Sequence, residues 1–343
     1  MNYGENIGII GAVRGEWLRL STALTALKPH GVRKVVQLGK LGLGENEFLW
    51  DKVPAQLRRS LESLNLKLLF LDGAHDPVRV RLRQSEPERW YWRREEPRSL
   101  TSHLAYLPRG FRDQLSPSVR LAVFGGGDTD EPDVRIEEDD LEALGPDYAT
   151  VLLTHLPPST MRTVEAISAS AALVDDAMRA VRPSLMFASA DTLTVRTLAH
   201  RSARGPFVTR VVLLPSVTTE GLAGAVLNTR TFEVRLIDID GHTVDFEPEV
   251  TDLATQSSGR WVLHTETSQH VVDLDHRTWE RIPGPDAPHI ATPNTGILRT
   301  FDDLAVGKTG YLTLVADDPL IEYRWARTSL IEQISRTETR RSS

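Results

Sequence analysis

The chain has 343 residues, 40 Lys plus Arg against 47 Asp plus Glu, a formal charge of −7 and no cysteine. Such a composition allows about two domains with full hydrophobic cores, and it excludes disulfide scaffolds, thiolate metal sites, iron–sulfur clusters and cysteine nucleophiles. No apolar run approaches the ~18 to 20 residues that span a bilayer, and the start has no basic segment leading into an apolar one, so a cytoplasmic protein without a membrane partner is expected.

In chain order, NIGII (6–10) is an apolar run ending at Gly11 and followed by an amphipathic stretch from Glu16 to Leu27. Strand, glycine loop and helix is the reading. The unit recurs: VRKVVQL (32–38) runs into Gly39-Lys40-Leu41-Gly42, and apolar residues from Phe48 to Leu64 keep helical spacing. A third run, LKLLFL (66–71), leads into Gly73-Ala74-His75-Asp76. Three strands each ending in a glycine loop predict an α/β sheet with parallel neighbours, which places ligands at the carboxyl ends of its strands.

Further strands are predicted at 104–107, 119–124, 149–155, 184–188, 207–214 and 231–239, with a helix over 163–181 and a helical or turn segment between the last two strands. The first domain is expected to span 1–245. From 258 to 335 short alternating runs (GRWVLHT, QHVVDLD, GYLTLVA, LIEYRWA) predict a small all-β barrel or sandwich, with 282–296 as a loop and 336–343 as a frayed basic tail.

Each glycine loop alone is a weak signal. Taken in order, Gly11-Ala12-Val13-Arg14-Gly15, Gly39-Lys40-Leu41-Gly42, Gly73-Ala74-His75-Asp76, Leu153-Thr154-His155 and Ala188-Ser189-Ala190-Asp191 resemble the motif series of the calcineurin-like metallophosphoesterase family. The resemblance covers roughly residues 6–240. It implies a four-layer α/β (α+β) fold, a β core flanked by helices, and a centre of two divalent metals such as Mn, Fe or Zn.

The departures from the family pattern are chemical. The family's first loop gives an Asp and a His to one metal, where this chain has Ala12 and Arg14; the metal-bridging Asp is replaced by Lys40, the Asn ligand by Ala74, and two His ligands by Ser189 and Asp191. His155 survives among the ligand positions, and His75 keeps the place of the family's catalytic histidine. An ammonium where two cations should sit, and a guanidinium that cannot deprotonate, oppose assembly of either metal site. No metal cofactor is therefore expected.

Two arrangements remain open for the cavity. Lys40 and Arg14 pair with Asp191 and with Asp72 or Asp76, filling it, or they stay free and, with His75 and His155, form an anion-binding pocket for a phosphate or carboxylate. The expected function is a degenerate phosphoesterase acting as a binding, scaffolding or regulatory module, with a protein or a phosphate-containing ligand as partner. The alternatives are a phosphoester hydrolase with one atypical metal and a nucleotide or nucleic-acid sensor using Arg14, Lys40 and Trp90-Tyr91-Trp92-Arg93-Arg94, although the net charge does not point to nucleic acid. Gly125-Gly126-Gly127-Asp128 lacks the spacing of a phosphate loop and reads as a turn. Glu137 to Asp140 and Asp175-Asp176 read as helix caps or solvated charge, and His264 and His270 fall on neighbouring strands where a shared metal is a minor alternative.

Overall fold

A computed structural model describes residues 3–43, 53–74, 76, 78–85, 96–131, 133–161, 168–217, 221–245, 249–289 and 293–337. The chain divides into two compact units, Met1–Val195 with Val211–Phe246, and Arg196–Arg210 with Glu247–Ser343.

In chain order the first part of the molecule carries β1 (Asn6–Ile10), α1 (Trp17–Leu27), β2 (Val32–Leu38), α2 (Ala55–Leu64), β3 (Lys67–Leu71), α3 (Val78–Ser85), β4 (Arg98–Ser99), β5 (Leu104–Tyr106), β6 (Arg112–Ser116) and β7 (Val119–Phe124). It continues with α4 (Glu138–Leu144), β8 (Val151–Thr154), α5 (Ala169–Val181), β9 (Leu185–Ala190), β10 (Thr194–Ser202), β11 (Gly205–Pro215), β12 (Leu222–Asn228), β13 (Val234–Asp238) and β14 (Thr243–Val244).

These strands form an eight-stranded sheet in the order β14-β13-β12-β1-β2-β3-β5-β4 and a six-stranded sheet in the order β10-β11-β9-β8-β7-β6. β1, β2, β3 and β5 are parallel neighbours, as are β7, β8 and β9. Strands covered on both faces read as continuous apolar runs. One face of β1 to β3 (Ile7, Ile9, Val36, Leu38, Leu69, Leu71) packs with Leu121, Val123, Leu153, Phe187 and Val212 of the other sheet. The opposite face (Ile10, Val35, Leu68, Phe70) is covered by Leu20, Leu24 and Leu27 of α1 and by Leu57 and Leu61 of α2. Each such fully buried side chain contributes about 1.5–3 kcal/mol. The apolar residues of α1 recur at three- and four-residue spacing, so one stripe of it is buried.

The segment before β13 differs from the reading given above. Leu222–Asn228 is neither helix nor turn but β12, antiparallel to β1. Its sequence, LAGAVLN, has few β-branched residues, and its conformation is fixed by its central position between β1 and β13.

The second unit holds a closed barrel of β15 (Arg260–Thr265), β16 (Ser268–Asp273), β17 (Thr278–Pro283), β18 (Thr295–Asp302), β19 (Thr309–Leu314) and β20 (Arg324–Arg336). Its interior is filled by Trp261, Leu263, Val272, Trp279, Leu298, Leu312 and Ile334. β17 and β18 stand where no strand was expected, and β20 begins at Arg324 rather than 320 and continues through Arg336, into the segment read as tail. Arg196–Arg210, the outer part of the β10 and β11 hairpin, groups with this unit although the sequence reading had placed it in the first. Among the described residues no helix is long and apolar enough to cross a membrane.

Candidate functional site

Parallel strands direct their C-terminal loops to one edge of the sheet, and the five motif loops meet there. The loop after β1 is joined to the loop after β2 by the amides of Val13 and Arg14, which donate to the Lys40 carbonyl at 3.1 and 2.7 Å, and by Gly15 N to the Leu41 carbonyl at 3.1 Å. Gln37, fully buried on β2, donates its side-chain amide to the carbonyls of Gly11 and Gly39 and so ties the two loops from below. Ala12 N donates to Ser189 Oγ at 3.1 Å, bringing in the fifth loop at the end of β9. Arg14 and Lys40 both adopt left-handed backbone, with φ of 55° and 53°. Such conformations cost side-chain-bearing residues energy and persist where the surroundings fix them.

His155 follows β8 and is buried. Its Nδ1 lies 2.7 Å from the Leu38 carbonyl, so Nδ1 carries the proton and Nε2 the lone pair. Gly39 makes the close approach possible: a Cβ there would stand 2.7 Å from Nδ1 of the ring. Burial pushes the His155 pKa down to about 4 against the opposing hydrogen bond to the Leu38 carbonyl, with the Lys40 and Arg14 charges adding to the fall and Asp72 opposing it, and the ring is neutral at neutral pH.

A cavity of about 370 Å³ opens at this junction, lined by Ala12, Arg14, Lys40, His155, Ser189 and Asp191 together with Leu156, Pro157, Met161, Thr192, Thr194 and Leu213. Six of the residues singled out in the sequence are thus gathered in one place. Ala74 is buried and packs beneath the backbone of Gly127 rather than lining the cavity. His75 lies outside the described residues, as does the 90–94 aromatic–basic segment.

Of the ion pairs that would fill the cavity, Arg14 with Asp191 is present, while Asp72 and Asp76 are engaged elsewhere. Asp72 is fully buried and accepts from Arg109, Nε at 2.9 Å and Nη2 at 2.6 Å, and from the Tyr106 hydroxyl at 3.1 Å. Arg109 also donates to Asp140 at 2.6 Å and to the Val134 carbonyl at 2.6 Å, and Arg79 completes the cluster at 2.9 Å from Asp140. Burial opposes the Arg109 charge, but Asp72 and Asp140 outweigh it and raise its pKa above the ordinary value.

Asp76 is spent on backbone: it accepts from the amides of Gly73, Leu41 and Gly42 at 3.0, 3.3 and 3.4 Å. Burial pushes its pKa up to about 7, with the Asp72 charge adding to the rise and the amide hydrogen bonds holding it back. Neither carboxylate forms an ion pair with Lys40 or Arg14, although the Asp76 charge is felt by Lys40. Arg14 has one contact, 3.5 Å to Asp191, with half of the Arg14 side chain and 93% of the Asp191 side chain exposed. The Lys40 ammonium makes no hydrogen bond or ion pair among the described residues. Its pKa is lowered by burial and by Arg14, against the opposing pull of Asp191 and Asp76.

The donor set of this cavity does not fit two divalent ions. Among the described residues that line it, only His155 and Asp191 offer a nitrogen or carboxylate ligand, and two side-chain cations share the space. The one group of three candidate ligands among the described residues, Asp238, Asp240 and His242, lies elsewhere, at the turn after β13. His264 and His270 are on paired strands, but His264 faces Gln269 while His270 faces Leu263, so the two rings point to opposite faces. His270 instead accepts from Trp279 Nε1 at 3.1 Å in the barrel interior.

Arg109 is the residue of greatest structural weight that the sequence reading missed. A signal for it exists in Gly125-Gly126-Gly127: a Cβ on Gly126 would stand 2.8 Å from the Arg109 guanidinium carbon, and Gly126 N donates to the Asp72 carbonyl at 2.8 Å. These glycines form a turn packed on the buried pair, not a phosphate loop. Asp140 also caps α4 reciprocally with Glu137, and Asp175 accepts from Ser159.

No protein-family model matches the chain, and no curated protein matches it. Solved structures similar to it include a dimetal phosphatase from Danio rerio (13% identity over 69% of this chain and 96% of that one, TM-score 0.47). The protein TT1561 of Thermus thermophilus is similar at 16% identity over 68% of this chain and 99% of that one, with a TM-score of 0.45. An archaeal phosphodiesterase is similar at 10% identity over 68% and 99% of the two chains, with a TM-score of 0.35.

Proposed function

We propose that the first unit is a four-layer calcineurin-like phosphoesterase domain whose metal centre has been replaced by a metal-free pocket for a phosphate-containing anion, and that the protein works as a binding or regulatory module rather than as a hydrolase. The observation that carries this reading is the Lys40 ammonium, which lines the cavity without an anionic partner among the described residues. Arg14 beside it is held by a single long contact. Two cations facing an open cavity attract a phosphate, and charge-assisted hydrogen bonds to it are worth about 1.5–3 kcal/mol each.

Hydrolysis asks for more than attraction. Water must be deprotonated by a metal or a base; Lys40 and Arg14 cannot take up its proton while charged, and a His155 with a pKa of about 4 is a weak base at neutral pH. The support is therefore chemical: five loops in the family's order carry cations and small side chains at the positions where the resemblance puts ligand atoms.

Elemental analysis of the purified protein and a turnover assay on a generic phosphodiester with added manganese test this reading. Clearly substoichiometric Mn, Fe or Zn and no turnover are expected, because the lining lacks the three or four donors that a bound ion needs. Two bound equivalents, or turnover abolished by His155→Ala, would sink it.

A further inference from the structure

The cations of the cavity explain why an anion binds but not which one. His155 does more. Its ring is wedged between the backbones of Gly39 and Gly73, where a Cβ on either would lie within 2.9 Å of ring atoms. Its Nδ1 proton is committed to the Leu38 carbonyl at 2.7 Å. The ring cannot turn to offer that proton elsewhere, so the nitrogen left for the cavity is an acceptor. Ser189 contributes the opposite polarity, because its Oγ already accepts from Ala12 N and has its hydroxyl hydrogen to give.

We infer, on the footing of the reading above, that the pocket selects a tetrahedral oxyanion that still carries a proton. Lys40, Arg14 and the Ser189 hydroxyl donate to its ionised oxygens, while His155 Nε2 accepts from its P–OH. Orthophosphate keeps at least one proton at neutral pH. Sulfate has the same shape but none, and it would set an unprotonated oxygen against the His155 lone pair. A site built around one hydrogen bond to a ligand O–H rejects the analogue lacking it far more strongly than it rejects a change of size. The chemistry is that of free hydrogen phosphate, since a phosphomonoester gives up its last P–OH proton at about pH 6.

The test is calorimetric titration of the full chain, freed of metal by chelator, with orthophosphate, sulfate and methyl phosphate at about pH 7. Orthophosphate is expected to bind at least about tenfold more tightly than sulfate, the size of one hydrogen bond to a desolvated acceptor. Methyl phosphate, which has mostly lost its last P–OH proton at about pH 7, is expected to bind near sulfate, and methyl phosphate matching orthophosphate overturns the selectivity. In His155→Gln, whose amide can donate as well as accept, the preference should fall toward unity through a gain in sulfate affinity. If that variant does not fold, the wild-type ratio decides. Equal binding of phosphate and sulfate overturns the selectivity but leaves the anion pocket standing. Binding of neither at millimolar concentration removes both.

Discussion

The first unit holds two sets of cations, and the contrast between them separates structure from function. Arg109 is 2% exposed at its side chain, with carboxylates on two sides and backbone carbonyls filling the rest of its fork. Lys40 and Arg14 line an open cavity, one without a partner among the described residues and the other with a single contact at 3.5 Å. A buried charge survives only when its hydrogen bonds are complete, so Arg109 is committed to holding β3, β5 and the glycine turn together. Cations left without such partners have hydrogen bonds still to give.

The contrast can be broken most forcefully at Arg109. Arg109→Met leaves Asp72 and Asp140 buried without their main partner, and urea unfolding should show a loss of about 3–5 kcal/mol. A loss below about 1 kcal/mol would mean that the cluster is dispensable.

The next effect is in pH. Asp76 has a folded-state pKa near 7, above its unfolded value, so the native state holds the extra proton and this group's contribution to stability is lost as pH rises from about 4 to about 7. His155, with a folded pKa of about 4, has the opposite sign: its contribution is regained as pH rises from about 4 to about 6.5. The two oppose each other in the native protein. Asp76→Asn should therefore make stability climb more steeply with pH over that window, and His155→Gln should make it fall relative to wild type. Parallel profiles for the three proteins would show that neither group is perturbed as described.

Smallest in stability, and largest in binding, are the cavity cations. Lys40→Met should change unfolding free energy by less than about 0.5 kcal/mol, as for a side chain with no partner to lose, and Arg14→Ala should stay within the ~0–1 kcal/mol of an exposed ion pair. A cost above about 2 kcal/mol for Lys40→Met would place Lys40 with Arg109 as a structural cation.

The same contrast explains what could be read from the sequence. The glycine loops were legible because parallel strands buried on both faces are apolar throughout and stop abruptly where backbones converge, at Gly11, Gly39 and Gly73. The identity of the cavity residues followed from their order along the chain. Their partners did not. Asp72 and Asp76 looked available to Lys40 and Arg14, but Asp72 is paired with an arginine 37 residues away and Asp76 with the amides of three residues, a use of charge that leaves no mark in sequence. β12 was missed because its alanines and glycine carry little strand preference, and β18 because few of its side chains are buried, which blurs the alternation.

The most direct measurement is titration of chelator-treated protein with orthophosphate, wild type beside Lys40→Glu. Saturable binding without metal, weakened on the order of 100-fold or lost in the variant while its melting profile stays in place, is the predicted result, since one charge-assisted contact is removed and a like charge is put in its place. Binding that appears only when a divalent metal is added, or that is the same in Lys40→Glu, would contradict it.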